Sequence, residues 1–337
     1  MKTRPFMNAA FILPRFRFEE LYGAECAAAI ARATRVICPL ASPDELARGD
    51  VAWLSEVELL FTGWGAPRLD RELLDRMPRL QVVFYAGGSV RPLVTDEFWR
   101  REIPITCAAA FNAQPVAEFA LGAVMMGLRR AWFQASETRR LRGFPCPTVT
   151  VPGGNGSTVG LVSFGAIARR LRGYLRQFDL HVIGFDPLVS DDTFRAERVE
   201  RVNLKELFAR SDIVSLHSPW LPETEGLIDR ELLVSMKPGA TLINTARGAI
   251  VRESALIDVL RARVDLQAVL DVTWPEPPER TSPLYDLPNV FLTPHLAGSL
   301  GNECRRMGQA MVEEMRRFLR GEPLHFVVNQ QAAIALA

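Results

Sequence analysis

Runs of apolar residues alternate with amphipathic stretches along most of the chain. In the first third, Glu25–Ala33 and Arg71–Met77 have the periodicity of helices. Short apolar runs that predict strands lie around them: Ala9–Leu13, Arg35–Pro39, Glu58–Thr62, Leu80–Ala86 and Pro104–Cys107. This alternation of strand and helix predicts a small parallel sheet.

A second strand–helix series starts at Thr158, after a loop rich in Pro and Gly at Pro145–Gly156. Its predicted strands are Thr158–Phe164, His181–Phe185, Asp212–His217, Thr241–Thr245, Leu266–Asp271 and Val290–Thr293. The cores of these strands are continuously apolar, as expected when both faces of a sheet are covered by helices.

Two helices are predicted to connect the two series. One begins near Asn112, as its N-cap, with Pro115 in the first turn, and the other covers about Glu303–Leu319 and returns the chain to the first domain. The predicted fold class is α/β, with two doubly wound parallel-sheet domains, one inserted in the other, and a ligand cleft between them. The outer domain would comprise residues 1–112 and 304–337, and the inserted domain residues 113–303.

Composition narrows the class of protein. The chain has 337 residues, 48% of them hydrophobic and 23% charged, and a net charge of +1. These values fit a globular protein and give no indication of a nucleic-acid or membrane partner. Five scattered cysteines without Cys-x-x-Cys spacing predict reduced thiols, a cytoplasmic location and no zinc site. The apolar stretch Pro115–Leu128 contains Glu118 and is too short for a bilayer span.

The start of the second series has the pattern of a dinucleotide-binding turn. In that fingerprint three positions normally hold glycine, and here they hold Ser163, Gly165 and Ala168. Gly165 would let the pyrophosphate approach the backbone, whereas Ser163 departs from the pattern. The N–H groups at Ala166 and Ile167 would face the phosphates at the helix N-terminus.

Asp186 ends the next predicted strand, at about the distance where a carboxylate accepts hydrogen bonds from the ribose. The same carboxylate would repel a 2′-phosphate, which favours NAD over NADP. The alternative is that Asp186 only caps the turn before Pro187.

Three charged or titratable residues follow later strands of the same series: Arg247, Glu276 and His295. Ligands of open parallel sheets bind outside the carboxyl ends of the strands. A cation, an acid and a histidine that converge there would bind a carboxylate and move a proton. The alternative is that they are unrelated loop residues.

In these segments the chain resembles the D-isomer-specific 2-hydroxyacid dehydrogenases, from about Asn112 to Leu319. The matching segments are Asn112–Glu118, Leu216–Gly226, Asn244–Gly248, Asp271–Pro277, Pro283–Leu284 and Leu287–Gly298. The resemblance implies a Rossmann NAD-binding domain inserted in a flavodoxin-like substrate domain, and a homodimer built on the NAD-binding domain. It also implies that Arg247, Glu276 and His295 form the catalytic triad and that Asp271 contacts the nicotinamide carboxamide.

Those roles suit the interconversion of a small 2-oxo acid and its 2-hydroxy acid. Arg247 would bind the carboxylate and the carbonyl with bidentate geometry. His295 would give a proton to the forming alkoxide, and Glu276 would hold the imidazole in one tautomer and favour its charged form. The residues predicted to bind NAD are Ser163, Gly165, Ala166, Ile167, Asp186, His217, Thr245, Ala246 and Asp271. For His217, a structural histidine with satisfied hydrogen bonds is the alternative.

A Gly-rich loop in the first domain would hold the substrate carboxylate through its N–H groups, as the family resemblance implies. The corresponding residues are Gly87, Gly88 and Ser89. The Asp or Asn that many relatives have soon after these glycines is absent here. Phe84, Tyr85 and Phe111 are expected to border the pocket, which would suit an apolar substrate side chain.

Other functions remain open. C-terminal-binding corepressors resemble this family and act as NAD-sensing dimeric scaffolds, and phosphite dehydrogenase resembles the same triad. Formate dehydrogenases share the fold but lack an acid paired with the histidine. A degenerate member that binds the cofactor weakly is supported only by Ser163. His181 and His325 are expected to be structural, and packing is the favoured role of Trp220 and Trp274.

Overall fold

The computed structural model describes residues 6–49, 51–145 and 151–335. The chain divides into two compact units: an outer unit, Met1–Asn112 with Ser299–Leu336, and an inserted unit, Ala113–Gly298. Part of the loop predicted at Pro145–Gly156 lies outside the described residues.

Each unit contains one sheet. The strands of the outer unit are β1 (Asn8–Ile12), β2 (Arg35–Ala41), β3 (Leu59–Gly63), β4 (Val82–Ala86) and β5 (Ile105–Cys107). The strands of the inserted unit are β6 (Thr158–Val162), β7 (His181–Phe185), β8 (Glu200–Arg201), β9 (Ile213–Leu216), β10 (Thr241–Asn244), β11 (Gln267–Leu270) and β12 (Val290–Leu292).

Helices connect the strands. They are α1 (Arg15–Leu21), α2 (Gly23–Ala33), α3 (Pro43–Arg48), α4 (Arg71–Asp75), α5 (Asp96–Arg100), α6 (Ala109–Leu128), α7 (Ala131–Leu141), α8 (Ala166–Leu175), α9 (Asp191–Ala196), α10 (Leu204–Arg210), α11 (Arg230–Ser235), α12 (Glu253–Ala262), α13 (Asn302–Arg320) and α14 (Gln330–Ala335). Short 3-10 helices cover Ala52–Glu56, Gly248–Ile250 and Pro283–Tyr285.

The outer sheet is parallel, with the strand order β2-β1-β3-β4-β5. This is the order of flavodoxin-like sheets. Successive residues of β3, such as Leu60 and Phe61, belong to separate apolar clusters, because side chains alternate between the two faces of a strand. Both faces of the sheet are therefore covered.

The inserted sheet is parallel, with the order β12-β11-β10-β9-β6-β7-β8. It is the Rossmann order with one additional strand, and the direction of winding changes between β6 and β9. Leu242 and Ile243 of β10 belong to clusters on opposite faces. The predicted fold class, two doubly wound parallel-sheet domains, is confirmed.

The helix predicted near Asn112 is present, but the prediction that Asn112 is its N-cap, with Pro115 in the first turn, is wrong. Helix α6 begins at Ala109, and Pro115 lies inside it rather than in its first turn. Asn112 is not an N-cap, because it lies inside the helix, and its Oδ1 accepts a hydrogen bond of 2.9 Å from the backbone N–H of Ser299. That partner is distant in the sequence, so local capping rules cannot anticipate it.

Among residues 6–49, 51–145 and 151–335, none of the helices combines the length and the apolar character that crossing a bilayer requires.

Candidate active site and nucleotide-binding edge

The carboxyl edge of the inserted sheet brings five of the predicted site residues into one row. The last residues of neighbouring strands are paired in register: Phe185, Val162, Leu216, Asn244, Leu270 and Leu292. The residues that come next along each strand are Asp186, Ser163, His217, Thr245, Asp271 and Thr293. All but Thr293 were predicted from the sequence.

His295 and Glu276 form a hydrogen-bonded pair beyond this row. The Nδ1 atom of His295 lies 2.5 Å from Oε1 of Glu276, and the two side chains are 48% and 38% exposed. Nε2 has no hydrogen-bond partner in the part of the chain that the structure describes. The pair therefore fixes which ring nitrogen is available for a substrate.

The loop that carries His295 is held by a buried carboxylate. Asp271 is 2% exposed, and its two oxygens accept hydrogen bonds from the N–H groups of Leu296 and Ala297 and from the hydroxyl of Thr293, at 2.6–2.9 Å. His295 itself has φ +53°, a left-handed conformation that a residue with a side chain adopts only when its surroundings impose it. Asp271 supplies that constraint.

Arg247 stands on a turn that Asn244 stabilises. The buried Asn244 amide accepts a hydrogen bond from the N–H of Ala246 and donates one to the Arg247 carbonyl, both 3.0 Å. The guanidinium of Arg247 donates to the Ala246 carbonyl at 2.6 Å. Sequence reasoning assigned no role to Asn244, although its position two residues before Ala246 is the signature of an Asx turn.

Gly248 joins the Arg247 turn to the segment that precedes Glu276. A Cβ on Gly248 would overlap the backbone carbonyl of Thr273. Only glycine permits this approach. The sequence contains the glycine, but a contact between residues 25 positions apart cannot be inferred from it.

The dinucleotide turn contains a strained serine. Ser163 has φ +67°, where a side chain costs about 1–2 kcal/mol. Its hydroxyl lies 2.7 Å from that of Ser218, which is fully buried at the end of the neighbouring strand β9. The backbone N–H of Ser163 donates to the Phe185 carbonyl at 2.7 Å. Two hydrogen bonds therefore hold the conformation that a glycine would adopt freely.

The predicted pyrophosphate position is open. Helix α8 begins at Ala166, followed by Ile167, and Gly165 is its N-cap without a side-chain hydrogen bond to the first turn. A Cβ built on Gly165 meets no described atom within 4 Å. Space in front of uncapped N–H groups suits an anion.

Asp186 is half-buried and already has partners. Its two oxygens accept hydrogen bonds, both 2.8 Å, from the N–H groups of Phe164 and Leu188. The capping role considered as an alternative is therefore present. A carboxylate can accept about four hydrogen bonds, so capacity remains for a ribose.

Two buried polar side chains of the row have no partner among the described residues. They are His217, with both ring nitrogens unpaired, and Thr245, with its hydroxyl unpaired. The two residues are 9% and 7% exposed. Burial lowers the pKa of His217 to about 4, so the ring is neutral. His217 is therefore not a structural histidine with satisfied hydrogen bonds. Orphaned donors and acceptors beside an open helix N-terminus fit a polar ligand such as a dinucleotide.

In the outer unit, Gly87 and Gly88 follow β4 and are buried, and Ser89 is half-buried. The Gly87 carbonyl accepts from the N–H of Ala108 at 2.9 Å. A Cβ on Gly88 would lie 3.2 Å from Nδ2 of Asn112. The loop is thus closely packed at its glycines.

The expected aromatic border of the pocket is wrong for two of its three residues. Phe84 is fully buried and stacks on Phe61 with ring centroids 4.9 Å apart, and Tyr85 is 3% exposed. Both belong to β4, whose two faces are covered, so neither can border a pocket. Phe111 is half-buried against Phe326.

The residues for which packing or a structural role was expected are not members of this row. Trp220 and Trp274 pack edge to face with centroids 4.6 Å apart, whereas His181 is exposed at the start of β7. Within residues 6–49, 51–145 and 151–335, no group of His, Cys, Asp and Glu has an arrangement that would hold a metal ion.

The fold and this edge define a dinucleotide-fold protein that carries a histidine–carboxylate pair after β11 and β12 and an arginine after β10. Residues 122–297 match the model of the D-isomer specific 2-hydroxyacid dehydrogenase family, NAD binding domain. The match covers just over half of the chain, which therefore belongs to that family. The inserted unit contains its NAD-binding domain, and the predicted family and cofactor are confirmed.

Similar curated proteins include dehydrogenases of different acids. The (S)-sulfolactate dehydrogenase of Chromohalobacter salexigens is 38% identical over 254 residues, which are 75% of this chain and 82% of that protein. The D-3-phosphoglycerate dehydrogenase of Mycobacterium leprae is 34% identical over 269 residues, which are 80% of this chain and 51% of that protein. The chain thus spans about half the length of the D-3-phosphoglycerate dehydrogenase.

Solved structures include similar folds. The crystal structure of the TT0316 protein from Thermus thermophilus has a TM-score of 0.74 and 29% sequence identity. The likeness covers 96% of this chain and 100% of that chain.

Proposed function

We propose that this protein interconverts a small 2-oxo acid and its D-2-hydroxy acid with NAD as the hydride carrier. In the reduction, the oxo acid, NADH and one proton give the hydroxy acid and NAD. The observation that carries this proposal is the 2.5 Å contact between Nδ1 of His295 and Oε1 of Glu276. It leaves one ring nitrogen to exchange a proton with the substrate oxygen.

In this mechanism His295 donates its Nε2 proton to the oxygen that becomes an alkoxide, and takes a proton back in the oxidation. Glu276 keeps the other nitrogen protonated and orients the ring. The positive charge on the imidazolium is stabilised by the adjacent carboxylate. The left-handed backbone at His295 and the three hydrogen bonds of Asp271 keep the ring in place.

Arg247 binds the substrate carboxylate and polarises its carbonyl. A guanidinium suits this task because its N–H groups form parallel hydrogen bonds to carboxylate oxygens. The Asn244 turn and the packing of Gly248 fix the backbone on which Arg247 stands.

When bound, NAD supplies or accepts the hydride. The residues that would hold it are the open turn at Gly165, the helix start at Ala166, and the carboxylate of Asp186. The orphaned side chains of His217 and Thr245 lie in the same row. In the outer unit, the N–H groups of Gly88 and Ser89 would bind the substrate carboxylate, whereas that of Gly87, predicted for the same role, already donates to the Tyr85 carbonyl at 2.9 Å. We also propose that two copies form a homodimer.

The test is oxidation of NADH by the purified full chain with glyoxylate, hydroxypyruvate, pyruvate, phenylpyruvate and branched 2-oxo acids. His295→Asn is the decisive variant, because asparagine tolerates a left-handed backbone but cannot act as the acid. We expect turnover to fall about 10²–10⁴-fold while NADH binding persists. The matched control, His181→Asn, alters an exposed histidine of the same unit and should retain full turnover.

Near-normal turnover of His295→Asn would refute the catalytic assignment. Binding of NADH without turnover of any 2-oxo acid would refute the proposed reaction. Activity with phosphite, or a partner protein whose binding depends on NAD, would then identify the phosphite-dehydrogenase or scaffold alternative. Absence of NADH binding would point to Ser163 and a degenerate member of the family.

A further inference from the structure

A pocket of about 500 Å³ opens at the histidine–carboxylate pair within the inserted unit. Its apolar wall is formed by three prolines, a tyrosine and a leucine: Pro277, Pro278, Pro294, Tyr285 and Leu292. Glu276 and His295 lie on the same lining, so a ligand in the pocket touches the residues proposed to transfer the proton. The volume is within the range of small-molecule sites and exceeds the needs of a methyl group.

The polar groups of this lining are already engaged with the protein. Thr273 donates its hydroxyl to the Pro275 carbonyl at 2.8 Å. Thr293 donates its hydroxyl to Asp271, whose other oxygen accepts from a backbone N–H. The Tyr285 hydroxyl donates to the Pro278 carbonyl at 3.3 Å, which links two sides of the wall.

The charge of the lining is unfavourable for an anion. Its ionisable residues are two carboxylates, Asp271 and Glu276, together with His295 and Tyr285, and it contains no lysine or arginine. A sulfonate or phosphate in this pocket would lose hydration and face two carboxylates, and the one residue that can be cationic, His295, is already paired with Glu276, so its binding is costly. The Nε2 atom of His295 is the one lining group that this arrangement leaves for a reacting oxygen.

We propose that this pocket receives the side chain of the substrate, and that the preferred substrates are 2-oxo acids with a bulky apolar side chain, aromatic or branched. The inference rests on the proposed function and names its substrate class. It separates this chain from relatives whose names refer to sulfolactate and phosphoglycerate. Here the acid that fits has an uncharged, apolar substituent.

The first measurement compares kcat/KM for acids that share the 2-oxo carboxylate and differ in the side chain. Phenylpyruvate and 4-methyl-2-oxopentanoate should exceed pyruvate by about tenfold or more, since one buried methylene is worth about 10–200-fold. A 2-oxo acid with a terminal sulfonate should fall below pyruvate by about tenfold. Preference for the sulfonate would overturn the proposal.

The second measurement uses a variant in which a larger side chain fills the pocket. Leu292→Trp places an indole in the lining, whereas Phe291→Trp places the same group on the opposite face of the same strand. We expect Leu292→Trp to lower the phenylpyruvate-to-glyoxylate ratio of kcat/KM about tenfold. Phe291→Trp should keep the wild-type ratio.

A third variant covers the case in which Leu292→Trp does not fold. Tyr285→Ala removes one wall at an exposed position and should lower the same ratio, whereas Tyr285→Phe should preserve it. Unchanged ratios in the folded pocket variants would overturn the assignment. If glyoxylate and pyruvate are reduced but bulky acids are not preferred, the substrate inference fails and the proposed function stands. If no acid is reduced, the proposed function itself fails.

Discussion

The two halves of the carboxyl edge of the inserted sheet differ in how completely their polar groups are satisfied. At β11 and β12, the Asp271 carboxylate accepts three hydrogen bonds, and His295 is paired with Glu276. At β6 and β9, both nitrogens of His217 lack a partner among the described residues, and the space at Gly165 is open. We call these the catalytic half and the nucleotide half.

The difference indicates which half is complete before a ligand binds. A buried polar group without a partner costs about 1–3 kcal/mol, so a fold retains one only where something else satisfies it. The catalytic half is preorganised, and a change there should damage the free protein. The nucleotide half contains buried polar groups that a dinucleotide would satisfy, and changes there should alter either cofactor binding or the strain at Ser163.

The largest effect is expected from Gly248→Ala in the catalytic half. The new methyl group would overlap the Thr273 carbonyl, and backbone cannot move aside as a side chain can. We expect unfolding free energy to fall by about 3 kcal/mol or more, measured by urea denaturation. Gly122→Ala, on helix α6 where a Cβ meets no described atom within 4 Å, is the control. Equal stability of both variants would contradict the tight contact.

This contact marks the limit of what the sequence predicts. The strand–helix alternation and the continuous apolar runs predicted both sheets, because they reflect local periodicity and burial on two faces. They also placed Asp186, His217 and Asp271 at strand ends. The approach of Gly248 to Thr273 depends on how two loops meet in space, and no local pattern encodes it.

The second prediction concerns His217 and pH. In the folded protein burial lowers its pKa to about 4, whereas the unfolded chain has a value near 6.5. Between these values the unfolded state binds the additional proton, so stability falls as pH decreases from about 6.5 to about 4. The full difference is about 3 kcal/mol.

Carboxylates also titrate in this range, so the measurement is a difference between proteins. Unfolding free energy of the wild type and of His217→Leu should be compared at several pH values between 7 and 4. The variant should lose the part of the slope that His217 contributes, and His181→Leu should retain it. A His217→Leu protein with the wild-type slope would contradict a buried neutral ring.

The third prediction separates binding from stability at Gly165. Its Cβ position is open in the free protein, so Gly165→Ala should leave unfolding free energy within about 0.5 kcal/mol of the wild type. The same methyl group would stand where the pyrophosphate approaches. NADH affinity, measured by fluorescence titration, should weaken at least about tenfold, or about 1.4 kcal/mol. Unchanged affinity would place the cofactor elsewhere.

Ser163 shows why a local rule can fail inside a recognised motif. Serine normally adopts negative φ, and the sequence alone leaves its conformation open. In the structure the β6 turn imposes φ +67° on it, and the Ser218 hydroxyl then accepts or donates the compensating hydrogen bond. Sequence reasoning identified the deviation at Ser163 but not its partner, because Ser218 belongs to a different strand end.

The smallest expected effect follows from that strain and distinguishes it from the hydrogen bond. Ser163→Ala removes the hydroxyl but keeps a Cβ at left-handed φ, whereas Ser163→Gly removes both. At ordinary positions glycine is less stable than alanine by about 0.5–1 kcal/mol, but here we expect the glycine variant to be the more stable by about 1 kcal/mol. Thermal denaturation of both variants in the Ser218→Ala background excludes the effect of an orphaned Ser218 hydroxyl. If alanine remained more stable than glycine there, the turn at Ser163 would not be strained, and the two halves of the edge would differ only in their unsatisfied polar groups.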